Sequence, residues 1–302
     1  LWVGYKATKG QKDTVDDYYV AGRSMSKWIV AGTYGASFMS AGTFLGQIGT
    51  NYSTGWVQTW NLCASIFAMF LMAAFFTKKL WRVGYLYGVA SMPDLFALRY
   101  PSKITRGAYS TIILLIYTVG MASMYMGIFT VLSLVTGFSY MTCVIIGAVV
   151  VLLYSVVGGS KAVAWTDTVC MVLMFLSMVI AVATALIKGG GFENIIVQFG
   201  QASIPEGQAW QGGQELVSAT TSFMTFWMCV SFFFVWSFGN ITQPHQVTRA
   251  LLAKDEKNAL GGVALVIIPN FIILLSGQII GAYARVAYPD LARADYAFPT
   301  VV

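Results

Sequence analysis

Seven stretches of this 302-residue chain are each apolar and long enough to cross a lipid bilayer, and that feature restricts the fold more than any other. Crossing hydrocarbon takes about 20 residues of helix. With no water to satisfy the backbone there, a spanning segment of this length is expected to be helical. The stretches are Trp28–Thr50, Thr54–Thr77, Gly107–Thr136, Phe138–Val157, Ala162–Ile187, Val217–Ile241 and Ala259–Ala284. Charged residues make up only 10% of the chain, against about 25% in soluble domains. Mean hydropathy is +0.70. Twelve acidic and 18 basic residues cannot cover a water-facing surface of this size, so the expected surroundings are a lipid bilayer. The net charge of +6 does not point to nucleic acid, because the basic residues sit in short loops between apolar runs. Cys63, Cys143, Cys170 and Cys229 all fall inside apolar stretches and match no metal-site spacing, so they are expected to pack helices or face lipid.

Lysine and arginine set the orientation. With residues 6–27 inside, the first full helix runs outward, and only Lys188, Arg285 and Arg293 fall on the outer side. The longest outer segment, Lys188–Leu216, reads as a soluble loop carrying a short interfacial helix over Phe192–Phe199. The chain opens on Leu1-Trp2-Val3-Gly4-Tyr5 and stops at Thr300-Val301-Val302, which reads as a piece of a longer, transporter-sized chain forming a single transmembrane domain over residues 1–302.

The interior of the spans is defined by what it lacks. Ionisable groups inside a membrane usually mark proton relays or ion paths. The deep parts of these spans hold no Lys, Arg, Glu or His, and Asp167 is the lone carboxylate. A proton relay through buried carboxylates is hard to build from that. Sodium coupling needs only carbonyl and hydroxyl oxygens, which hard cations accept. The first span offers such oxygens in Gly32-Thr33-Tyr34-Gly35-Ala36-Ser37-Phe38-Met39-Ser40-Ala41-Gly42-Thr43. Glycines at mid-depth favour unwinding, since each costs about 1 kcal/mol relative to Ala in a helix. The same small residues would also let helices pack closely, so both readings stand at this point. In the sixth span Gly239-Asn240 leads into Gln243-Pro244, which should end the helix, and the aromatic residues before it fit packing as well as binding. In the seventh span Pro269-Asn270 suggests a kink, with Gln278 a polar residue further along.

Several separated segments resemble the sodium:solute symporter family. Ala21-Gly22-Arg23-Ser24 is similar to the family's AGRS element before its first core helix, and Met92-Pro93-Asp94-Leu95 through Arg99-Tyr100 to its inner-loop element. Gly158-Gly159-Ser160-Lys161-Ala162-Val163-Ala164-Trp165-Thr166-Asp167 resembles the family signature, and Gln243-Pro244-His245 with Arg249 the QPHxxxR pattern of its proline and pantothenate branches. Tyr288-Pro289-Asp290 followed by Phe298-Pro299-Thr300 looks like the pantothenate branch. Phe38 stands where the proline branch carries an aspartate.

The resemblance implies an all-α membrane protein with a partial five-plus-five inverted-repeat transporter fold, its first and sixth core helices discontinuous around a midplane site. It implies sodium as the coupling ion, held by backbone carbonyls at positions matching Ala36 and Met39. The remaining ligands would come from an eighth core helix beyond residue 302. It places Asp167 on the inner sodium route; the residue-level alternative is a helix-start charge stabilised by the helix dipole. Ser37, Ser40, Thr43, Gln58 and Trp236 are the candidate solute-binding residues. The function expected is sodium-coupled import of a small organic solute, plausibly a carboxylate such as pantothenate, through the cell's inner membrane. No cofactor, no nucleic acid and no chemistry on the solute are expected. An anionic solute would meet no Lys or Arg within the spans, leaving helix N-termini, the hydroxyls of Ser40 and Thr43, or bound sodium to balance its charge. The alternatives are a symporter for proline or another solute, or the input domain of a membrane sensor kinase.

Overall fold

The computed structural model describes residues 6, 14–39, 42–204 and 211–302. Those residues are helical almost throughout, the nearest approach to a strand being a parallel bridge between Met25 and Ala253. We number the helices α1 (Val15–Val20), α2 (Lys27–Phe38), α3 (Ile48–Thr54), α4 (Thr59–Leu71), α5 (Thr77–Tyr87), α6 (Met92–Arg99) and α7 (Lys103–Thr136). They continue as α8 (Tyr140–Lys188), α9 (Phe192–Phe199), α10 (Phe226–Ile241), α11 (Pro244–Leu251), α12 (Glu256–Leu265), α13 (Ile267–Ala287) and α14 (Ala297–Val301). Four helical runs, Gly42–Tyr87, Lys103–Phe129, Gly159–Lys188 and Glu256–Ala287, are long and apolar enough to cross a membrane, and Tyr140–Leu152 and Phe226–Ile241 are shorter apolar helices.

The interruptions fall where the residue types put them. The first apolar stretch breaks: α2 stops at Phe38, Met39 is non-helical, and helix resumes in π form over Gly42–Gln47 before α3. The sixth stretch ends at Ile241, and Pro244 opens α11 at a position whose missing N–H costs nothing. The interfacial helix expected over Phe192–Phe199 is α9, with Ile195 and Phe199 buried.

Three expectations need correction. The sixth span does not start at Val217, because helix begins only at Phe226. The Ser/Thr-rich run between them caps its own backbone, the Met224 N–H donating to Thr221 Oγ1 at 2.8 Å and the Ser222 N–H to Glu215 Oε1 at 3.2 Å, which competes with helix. The fourth and fifth spans are joined without a loop at Gly159, whose φ of 54° and ψ of −163° suit glycine alone. The seventh span breaks at Val266 rather than at Pro269-Asn270, since Pro269 sits in the first turn of α13, where proline is tolerated.

The chain divides into two compact units. The first comprises Leu1–Phe38, Met69–Met171 and Ile241–Val266. Its core gathers Val20, Met25, Ile29 and Val30 against Ala164, Leu251, Leu252 and Ala259. Small residues let α2 lie close to its neighbours: a Cβ on Gly32 would sit 2.6 Å from Cα of Thr168 on α8, and one on Gly262 of α12 would meet Val30 at 2.5 Å. The second unit comprises Met39–Ala68, Val172–Asn240 and Ile267–Val302. There α3 packs on α13 with glycine at the contact, since a Cβ on Gly281 would come within 2.8 Å of the Ile48 carbonyl. Tyr52 donates its hydroxyl to the carbonyls of Tyr288 (2.7 Å) and Pro289 (2.8 Å).

Candidate functional site

In the first unit, one face of α2 carries a line of polar contacts. Ile29, Thr33 and Ser37 recur at i+4 spacing, so they share that face. The carbonyl of Ile29 accepts from Thr168 Oγ1 at 3.3 Å. The hydroxyl of Thr33, buried, donates to Asp167 Oδ2 at 2.7 Å. Ser37 donates to the Thr33 carbonyl and accepts from Arg249 Nε at 3.1 Å. Arg249 closes the cluster with Nη2 placed 3.0 Å from Asp167 Oδ2. Three chain segments distant in sequence thus meet on one carboxylate, whose side chain is only 26% exposed.

Asp167 is held by side chains rather than by a helix end. It lies two turns past the kink at Gly159, too far for the dipole of the helix start, which fades within the first turn. Its charge is balanced by Arg249 and a buried hydroxyl. Oδ2 takes both hydrogen bonds, while Oδ1 takes none among the described residues. Arg249 is the functional candidate that sequence reasoning missed, because the linear pattern assigns it to an inner loop. The signal was the i+4 pair His245 and Arg249 on one amphipathic helix. His245, on that face, meets the Tyr117 hydroxyl through Nδ1 at 3.0 Å and is pushed down to about 4 from its ordinary 6.5, first by burial and then by the Arg249 charge.

In the second unit, Thr43 and Gln47 of the π-helical segment line a small cavity with Met178, Ile273, Leu274, Gly277 and Gln278. It has room for one water-sized group. Its polar wall belongs to a longer strip of side-chain amides. Gln47 Nε2 donates to Asn61 Oδ1 at 2.7 Å, and Ser65 Oγ to the same oxygen at 3.5 Å. Asn51, fully buried, hydrogen-bonds Gln278 and gives its second proton to the Gly55 carbonyl at 3.2 Å. Asn51 Oδ1 is buried with no hydrogen-bond partner among the described residues. π-helical turns of this kind are frequent at functional sites.

Of the residues singled out from sequence, Ser37 and Asp167 come together through Arg249 in the first unit. Ala36 lies in the last turn of α2, where carbonyls lose their intrahelical partners. Met39 is buried at the start of the second unit's first segment. Thr43 and Gln278 share the cavity wall. Gln58, on the 3-10 turn Gly55–Gln58, is half-buried and does not line that cavity. Trp236 is 39% exposed, packs against Phe232 at 5.8 Å between centroids, and does not line it either. Ser40 lies outside the described residues. Arg285 differs from expectation: α13 runs on to Ala287, and its guanidinium is fully buried, Nη2 donating to the carbonyls of Ser203 (2.8 Å) and Gln211 (3.3 Å).

Comparison with known proteins matches the chain to one family. The model of the sodium:solute symporter family matches residues 18–302. The chain is 27% identical over 301 residues to a sodium/pantothenate symporter of Haemophilus influenzae, covering 98% of this chain and 59% of that one. It is equally 27% identical over 301 residues to a sodium/proline symporter of Escherichia coli, covering 97% and 57%. The structure of a Na+-coupled sialic acid symporter in a substrate-bound outward-open state superimposes with a TM-score of 0.72 at 20% identity, over 99% of this chain and 62% of that one. The chain therefore spans about three fifths of the length of these relatives and shares the sialic acid symporter's fold. It belongs to the sodium:solute symporter family.

Proposed function

We propose that the protein couples inward sodium movement to import of a small organic carboxylate, with pantothenate the first solute to try, across the inner membrane of the cell. The observation that carries this reading is the cluster on Asp167. An ionisable residue inside a span is costly and usually marks a path for ions or substrate, and here one carboxylate oxygen is held by Thr33 and Arg249 while the other accepts no hydrogen bond among the described residues. Sodium, a hard cation, suits such an oxygen together with backbone carbonyls and hydroxyls. The carbonyl of Ala36, in the last turn of an interrupted helix, fits the same need. For the solute, the cavity beside Thr43, Gln47 and Gln278, which has room for one water-sized group, supports the reading only through the hydroxyl and amide chemistry of its wall, which carries no fixed charge. That chemistry suits a small polar solute. Pantothenate, proline and sialic acid, the solutes in three relatives' names, carry a carboxylate, whereas other relatives of similar identity are named for glucose.

The test is uptake of radiolabelled pantothenate and proline by cells or proteoliposomes holding the full-length protein, at fixed pH. Uptake of one of them should rise with external sodium and collapse when choline replaces it. Equal uptake in sodium-free buffer driven by a proton gradient would refute the sodium reading. Sodium-dependent uptake of proline alone would keep the coupling and change the solute.

A further inference from the structure

We propose that Arg249 is a tethered counter-ion that competes with sodium for Asp167, so that ion release and refastening of α11 onto α2 are one event. The inference rests on the sodium-coupled reading and assigns the regulation of its ion site. Its basis is the division of labour on the carboxylate. Arg249 is the cation on Oδ2, at 3.0 Å, and Thr33 is the neutral donor on the same atom at 2.7 Å. Oδ1 accepts nothing among the described residues, so a sodium ion reaching it meets a carboxylate already neutralised. Two cations on one carboxylate repel, and the mobile ion and the guanidinium must exchange.

The guanidinium has a second attachment. Its Nε donates to Ser37 Oγ at 3.1 Å, so the same side chain ties α11 to the last turn of α2. Ser37 is anchored in turn through its own donation to the Thr33 carbonyl at 2.8 Å. A planar fork can satisfy Asp167 and Ser37 at once, which the point charge of a lysine cannot do with the same geometry. When sodium takes Asp167, the guanidinium loses its anion and its hold on Ser37 weakens. When sodium leaves, both contacts re-form. Leaving Asp167 buried with no counter-ion would be strongly unfavourable, so the arginine also lets the emptied site exist within the membrane.

The claim predicts a sign that a merely structural role does not. Deleting a structural ion pair should weaken a site; removing a competitor should tighten it. In the purified full-length protein, binding of radioactive sodium should tighten in Arg249→Gln by about 10-fold or more, the scale set by one charged hydrogen bond. Asp167→Asn should abolish that gain when combined with it. Sodium efflux from preloaded proteoliposomes should slow in Arg249→Gln, because nothing replaces the departing ion. If Arg249→Gln does not elute as a folded protein, Ser37→Ala serves in its place: losing the Nε anchor should still lower the sodium Kd several-fold. An unchanged or raised sodium Kd in the folded variant overturns the proposal while wild-type sodium binding keeps the symport reading. Absence of sodium binding in the wild-type protein overturns both.

Discussion

His245 and Arg249 sit one turn apart on α11, and the cost of burying them is met in opposite ways. The charge of Arg249 is balanced by Asp167. His245 gives its charge up: burial, then the positive neighbour, holds its pKa down to about 4, and Tyr117 engages the neutral ring. Stability should therefore depend on pH with a definite sign. Between pH 6.5 and about 4 the unfolded chain takes up a proton on this ring that the folded chain refuses. Stability is then whole above pH 6.5 and falls with acidification, by at most about 3 kcal/mol. Thermal unfolding of the detergent-solubilised protein across that window should show a falling midpoint that His245→Gln flattens. An identical pH profile in the variant would show that the ring is not held neutral. None of this was legible from composition. A lone histidine after a span reads as a loop residue until its neighbours are known.

At the scale of single elements, glycine decides how closely helices approach. Gly32 faces the backbone of Thr168, where a Cβ would come within 2.6 Å of Cα, whereas Gly107 near the start of α7 has nothing within 4 Å. Gly32→Ala should cost about 1–3 kcal/mol through overpacking and displace Thr33 from Asp167. Gly107→Ala should be neutral or stabilising by up to about 1 kcal/mol through helix propensity. Unfolding midpoints of the two variants check the contrast, and equal effects would contradict the packing. Sequence reading left the glycines of the first span open between close packing and unwinding. The fold divides them: Gly32 and Gly35 pack inside α2, while Gly42 lies in the π-helical segment that follows the break. The distinction depends on what lies opposite each glycine, which a local window cannot contain.

For the whole molecule, coupling sets a limit that transport can measure. One sodium ion entering across about 100 mV yields about 2.3 kcal/mol, and a tenfold gradient adds about 1.4 kcal/mol. That supports about 500-fold accumulation of a neutral solute. A monoanion gives the electrical part back, so one sodium sustains only about tenfold, and two sustain about 5,000-fold. The steady-state accumulation ratio of a labelled carboxylate in proteoliposomes with clamped gradients therefore reports the stoichiometry. A ratio far above tenfold would require a second sodium, and a ratio independent of potential would mean an electroneutral cycle.

Hydropathy, the rarity of charge and the order of the motifs showed from sequence alone that the chain spans a membrane as helices, that the sixth apolar stretch ends near Gln243-Pro244, and which family it resembles. These are local properties: about 20 apolar residues must become helix in hydrocarbon, and a Gln-Pro step can open a new helix but not continue the old one. The short helix over Phe192–Phe199 was legible for the same reason. Only the tertiary structure decided that Arg249 neutralises Asp167, that Arg285 is buried inside the second unit, and that Thr43 shares a cavity with Gln278 rather than with Trp236. Each depends on pairing residues tens to hundreds of positions apart. An arginine's charge looks the same in a loop and against a buried carboxylate; the difference is the partner, and the fold supplies the partner.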